Sequence, residues 1–422
     1  MTPWGSVIEA EVGRVEFVLP ETIARYTSPK EYFRSICFEE LSLLLCTSCS
    51  YRKSEKILNR ALHRPRVAEI RLTTLNDHVD SLGKKASTYL MARSGEILGA
   101  ISGYAGDLTD PAVQGQLAAA YPEPETAGSP GGTAFQDQIG AFNDGKENSD
   151  QIKNMDLVKS TEADPENTVY VSIDDVGVQH QKDSRKDSGG KNKKRVENTV
   201  IHVESSGKKH IITAVGMHNA FTLLMAFLIS NGLLDNRNLV FFSDGAQNIR
   251  SCIETFFSFR KPVTHMLDWY HLEKRMKEFL SMSVKGNKES KKAIRNVLDR
   301  RLWAGNVDDA IDYLKSIPAK SIKNQQKLEE AVDYLVRRKP HIPCYALRSL
   351  LGYRNSSNPA EKANDRVVAM RQKHNGMSWS TTGSSSLALI TALELNNELD
   401  SWIAKGTIAF NIDSQSTAAS AA

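Results

Sequence analysis

The chain has 422 residues, 40% of them hydrophobic and 25% charged, with five cysteines and a formal net charge of +4. That length predicts two or three domains, each able to bury its own core, and the few, odd-numbered cysteines (Cys37, Cys46, Cys49, Cys252, Cys344) argue against a disulfide framework. No stretch approaches the roughly 20 apolar residues that a membrane helix needs, and residues 1–14 lack a basic-then-apolar leader pattern, so a cytoplasmic protein is expected.

In the amino-terminal region, residues 1–120, SYRKSEKILNRALHR carries Ile57, Leu58, Ala61 and Leu62 at helical spacing, and LTTLNDHVDSLG repeats the pattern with Leu72, Leu75, Val79 and Leu82. Two short helices are predicted. Thr74 followed by Asp77 approximates a capping box, and Gly83 suits a left-handed stop after the second helix. Such a pair can form a helix-turn-helix, whose second helix would present Arg71, Thr73, Asn76 and His78 to a major groove, with Lys84 and Lys85 on phosphates. A small helical bundle with a solvated basic face gives the same pattern. The lone CxxC at Cys46 and Cys49 has no second pair to complete a zinc site.

Residues 121–167 hold ten acids against three bases, starting with PEPETAGSPGG, which leaves a surplus of +11 on the rest of the chain. A segment so poor in aliphatics reads as a disordered acidic linker, and the basic remainder suits a polyanionic partner.

After residue 167 the period changes. TVYVSID alternates as a half-buried strand should, and TVIHVESSGKKHIITAVGM reads as a hairpin turning at Ser205, Ser206 and Gly207. A Leu-, Ala- and Phe-rich helix from Asn219 to Leu234 follows, then the buried strand NLVFFSD, a helix from Asn248 to Phe259, the strand VTHMLD and the helix WYHLEKRMKEFL. The order βββαβαβα is that of a mixed, five-stranded α/β sheet of the RNase H-like kind. Its first part spans 168–275, a basic helical insertion 276–351, and its last part 352–405; residues 406–422 read as a disordered tail.

Two apolar strands run into acids, Asp174 after VYVSI and Asp244 after LVFFS, where an α/β sheet presents functional groups. Metal-assisted phosphoryl transfer uses such carboxylates to hold two Mg²⁺ ions about 3.5–4 Å apart, so a third acid is needed. Glu361 is the candidate, in a helix opened by Asn358 and Pro359, although Asn358 and Glu361 also make a capping-box pair; Asp365 is the fallback. Asp175 competes with Asp174 but alternates onto the aliphatic face. Asp268 and His271 form a further cluster after the fifth strand.

With VSID174, FFSD244GA and Asp268-Trp-Tyr-His271 in that order, the chain resembles bacterial insertion-sequence transposases with an aspartate, aspartate, glutamate triad, the group similar to Mutator-like elements. The resemblance runs from YRKSEKIL to GMSWS. Its helical insertion before the third acid fits the separation of Glu361 from Asp244 and favours catalysis over capping there. It also makes RQKHNGMSW a DNA-touching segment through Arg371, Lys373 and Trp379. The implied protein is a nucleoid-associated DNA transposase. It would use two Mg²⁺, with Mn²⁺ as substitute, to cut double-stranded DNA at terminal inverted repeats and transfer the strand, as a homodimer or higher assembly. The competing expectations are a decayed or domesticated DNA-binding protein, and another RNase H-like nuclease.

Overall fold

The computed structural model describes residues 6–10, 13–17, 36–62, 70–124, 133–153, 167–181, 195–260, 263–373 and 377–412. Its centre is a five-stranded mixed sheet with β3 (Thr168–Gln179) in the middle. On one side β3 pairs antiparallel with β4 (Arg195–Ser205), and β4 with β5 (Lys208–Val215). On the other it pairs parallel with β6 (Asn238–Ser243), and β6 with β7 (Thr264–Leu267). The β4–β5 hairpin turns through Ser206 and Gly207, both at positive φ (49° and 76°), the conformation that a two-residue turn between twisted strands requires.

Alternation gives the sheet two unlike faces. Val169, Val171 and Ile173 of β3 join Ile201 and Val203 of β4 and Phe241 of β6 in the main core. That face is covered by α3 (Leu72–Gly99), by α6 (Met217–Ser230), buried without a break from Ala220 to Leu228, and by α15 (Thr381–Leu395). The opposite face carries Tyr170, Val240, Phe242 and Met266. There Arg348 is fully buried, its guanidinium 5.8 Å from the Phe242 ring, and Arg354 lies 5.1 Å from the Tyr170 ring while pairing with Glu204 at 2.7 Å.

The amino-terminal region differs from the two-helix expectation. It begins with a hairpin, β1 (Ser6–Ala10) and β2 (Gly13–Phe17), and continues with α1 (Ile36–Ser48) and α2 (Tyr51–Ala61). The expected second helix does not stop at Gly83: α3 runs 28 residues, and a Cβ at Gly83 would lie 2.4 Å from the Ser386 Cβ. Gly83 therefore serves a close approach of two helices, not a cap. No capping box forms at Thr74 either, since the first turn of α3 is held by Glu55 Oε1, which accepts from Leu72 N at 3.0 Å. The helices thus pack into the core of the sheet, with Leu43, Leu58 and Leu75 in the same cluster as Val171.

The span expected to be linker also folds in part. A fourth helix, α4 (Pro111–Ala120), precedes it; within it α5 (Thr133–Asn143) and a short turn at Asn148–Asp150 are ordered. Ile139 and Ile152 bury against Cys344, Ala346, Leu347 and Tyr353, and Asp150 pairs with Arg300 at 2.6 Å. Few apolar residues suffice because they land on a surface about 200 residues further along the chain. The rest of the expected linker, 125–132 and 154–166, lies outside the described residues.

After α7 (Gln247–Phe256), a helical unit follows β7: α8 (Trp269–Ser283), α9 (Lys288–Trp303), α10 (Val307–Lys315), α11 (Gln325–Arg338) and α12 (Tyr345–Leu350). It has its own core around Met276, Leu302 and Leu335. The chain then returns to the sheet through α13 (Asn358–Asn364), a π-helical turn at Asp365–Ala369 and α14 (Met370–Gln372), and ends with α15 and α16 (Leu399–Lys405). Part of the expected tail is packed: Ile408, Phe410 and Ile412 are buried, and Glu398 accepts from Phe410 N at 2.6 Å. Residues 413–422 lie outside the described residues. No helix among the described residues is long and apolar enough to cross a membrane, and all five cysteines are free.

Candidate active site at the strand ends

The spacing of the two aspartates equals the register of the sheet. β3 and β6 pair in parallel as Thr168↔Asn238 through Ser172↔Phe242, a constant offset of 70. Continued two residues past the last pair, that offset brings Asp174 and Asp244 to the same level, and the charge of Asp244 acts on the Asp174 carboxyl. Asp174 does not end its strand as expected. Antiparallel pairing with β4 carries β3 on to Gln179, and it is β6 that departs at this level.

Asp174 is largely shielded from water. Burial first, and the charge of Asp244 second, push its carboxyl up to about 6, against lowering by His271 and by a hydrogen bond from the Asn364 side-chain amide. Asp244 turns its chain tightly: Oδ1 accepts from Ala246 N at 2.7 Å, and Gly245 takes φ +79°. Beneath it, Ser243 Oγ lies 2.8 Å from Nε2 of buried His265 and accepts from Gly245 N. Asp175 is engaged elsewhere, accepting from Thr199 at 2.7 Å and Asn248 at 3.0 Å.

Glu361 sits on α13, the helix whose Asn364 reaches Asp174. Glu361 Oε1 is 3.1 Å from His271 Nε2, so its partner is that imidazole and not a backbone cap; the N-cap residue is Ser357, one before the expected Asn358. Asp365 is exposed and starts the π-helical turn. Asp268, almost fully buried, caps α8 through His271 N at 3.1 Å and accepts from Ser357 N with its other oxygen. One carboxylate thereby ties the start of α8 to the start of α13, which brings His271 to Glu361. Asn364 escaped the sequence reading, although it lies one helical turn from Glu361 on the same face.

Asp174, Asp244, His271, Glu361 and Asn364 are thus brought together. Among the described residues no group of three or more His, Cys, Asp or Glu side chains forms a ready metal cage. The other expected residues scatter. Arg71, Thr73, Lys84 and Lys85 are exposed along α3, and Asn76 turns toward Asp80. His78 is buried beside Ser42 and Glu39. Arg371 and Trp379, expected on DNA, are interior: Arg371 donates to Cys46 O at 2.9 Å and lies 5.0 Å from the Tyr51 ring and 5.3 Å from the Trp379 ring. Trp379 spends its indole N–H on Gln372 O. Of that segment, Lys373 is exposed.

No protein-family model and no curated protein matches this sequence. Among solved structures, the chain is similar to the Drosophila P element transposase strand transfer complex at 8% identity, over 93% of this chain and 86% of that chain, with a TM-score of 0.26. At that TM-score the likeness carries no argument about fold or function.

Proposed function

We propose that the protein is a DNA transposase with an RNase H-like catalytic unit, in which Asp174, Asp244 and Glu361 form the acidic triad. The observation that carries this reading is that Asp174 on β3 and Asp244 just past the end of the neighbouring parallel strand β6 come to the same level, with the helix of Glu361 docked onto Asp174 through Asn364. The sheet order β5-β4-β3-β6-β7, with three antiparallel strands followed by two parallel ones, supports the RNase H-like assignment.

Asp174 and Asp244 offer two hard oxygen donors to a divalent cation such as Mg²⁺ or Mn²⁺, and Glu361 would have to join them to complete a three-carboxylate set. Two carboxylates converge, and Asp174 is raised by burial and by Asp244, the electrostatic state that a cation would relieve. Asp174 and Asp244 would hold the metal, joined by Glu361 once it exchanges His271 for it. Bound there, the cation supplies positive charge at the attacking and leaving oxygens of an in-line phosphoryl transfer. The protein's own part is orientation: Asp268 sets His271, His271 steers Glu361, and Asn364 fixes the Asp174 carboxyl.

The exposed residues Arg71, Thr73, Lys84, Lys85 and Lys373 are proposed to contact the double-stranded DNA of the element ends and target, and joining two ends calls for a dimer or larger assembly. A plasmid mobilisation assay with the native flanking DNA tests this reading. Wild type should move the element and Asp244→Ala should not; equal movement by both, or none by either, would sink the reading of Asp244 as a catalytic residue.

A further inference from the structure

A cleft of about 370 Å³ opens beside Asp244. One wall is a face of α8, where His271, Lys274, Arg275 and Glu278 recur at helical spacing; the other is α11, through Tyr334 and Arg338. The floor is the turn after Asp244. Gly245 is required in that turn, because a Cβ there would meet Leu267 Cδ1 at 2.8 Å and Arg338 Nε at 3.2 Å. The Arg338 side chain is thus pressed against the backbone that presents Asp244. Its Nε is buried, and its guanidinium lies 5.7 Å from the ring of Tyr334, which holds it along this wall.

The cations of the cleft differ in availability. Arg275 is occupied by Glu278 at 3.0 Å and lies over the Phe279 ring. Lys274 projects from the same face into solvent, across from Arg338. Positive charge on two facing walls, ending at the Asp244 carboxylate, suits an anion repeated along a chain better than a single small anion, which Asp244 would repel.

We propose that this cleft holds the phosphodiester backbone of the DNA strand leading to Asp244, with Lys274 and Arg338 as its phosphate contacts. The proposal rests on DNA being the substrate, as argued above. Guanidinium and ammonium groups contacting phosphates displace counterions, so each contact contributes to the salt dependence of binding.

The test is binding of a labelled oligonucleotide to the full chain across a salt series. Lys274→Ala should weaken binding several-fold and reduce the slope of log affinity against log salt by about 0.7–0.9. Arg338→Gln, checked for folding by circular dichroism, should do the same, and Lys405→Ala at the far end of α16 should leave the slope unchanged. Wild-type slopes for both Lys274→Ala and Arg338→Gln overturn the inference. Cleavage is read separately with Asp244→Asn: retention of cleavage by that variant sinks the catalytic reading, while wild-type slopes for both Lys274→Ala and Arg338→Gln beside a dead Asp244→Asn sink only the cleft.

Discussion

His271 Nε2 stands 3.1 Å from Glu361 Oε1, and the backbone N–H of the same histidine is held by Asp268. Because Asp268 also accepts from Ser357 N, it links α8 to α13, which the sequence separates by the rest of the helical unit. Asp268→Ala removes a helix cap and leaves buried donors without partners, which costs roughly 2–3 kcal/mol. Denaturant unfolding should show that loss, with Asp268→Asn recovering part of it; an unchanged midpoint would mean the link is not formed.

The packing of α3 on α15 gives a paired prediction. Gly83→Ala forces a methyl group into Ser386 and should destabilise by about 1–3 kcal/mol. Gly95→Ala, in the same helix with open space around it, should stabilise by about 0.5–1 kcal/mol. Thermal melts that move both variants in the same direction would contradict the helix contact.

These glycines also show where sequence reading stops. Strand alternation, the Ser206–Gly207 turn and the 70-residue interval between the aspartates were all legible, because each is a local pattern or a direct consequence of parallel register. Gly83 was open to a wrong reading, since a glycine that permits close helix packing looks like one that ends a helix. Amphipathic spacing located the amino-terminal helices but could not say that their apolar faces join the core of the sheet. Burial of Ile139 and Ile152 depends on partners beyond residue 340, and no local composition reports that.

Arg371 is the sharpest case of a charge read as surface and found inside. Held between Tyr51 and Trp379, it supports the junction of α2 with the end of β3. Arg371→Ala should lower stability by roughly 2–4 kcal/mol through lost packing and an orphaned carbonyl. The DNA affinity of the folded fraction should not change; a loss of affinity without a loss of stability would restore the residue to the DNA surface.

Glu398 gives a pH dependence far from the site. It is 2% exposed, and burial raises its carboxyl from 4.5 to about 7 despite hydrogen bonds from the backbone of Phe410 and Asn411. Between those values the folded chain holds a proton that the unfolded chain has released, so the stability that Glu398 contributes is lost as pH rises through that window, by on the order of 3 kcal/mol. Glu398→Gln should flatten this part of the stability profile; a variant profile parallel to wild type would refute it.

The central claim is that Asp174, Asp244 and Glu361 act together on a phosphodiester. The most direct measurement is strand cleavage of DNA carrying the native flanking sequence, with Mg²⁺ or Mn²⁺, by wild type and by Asp174→Asn, Asp244→Asn and Glu361→Gln. Loss of carboxylates that stabilise transition-state charge removes several kcal/mol, so each variant should fall by about 10³-fold while still binding DNA. Cleavage at the wild-type rate by any one of the three would contradict the triad.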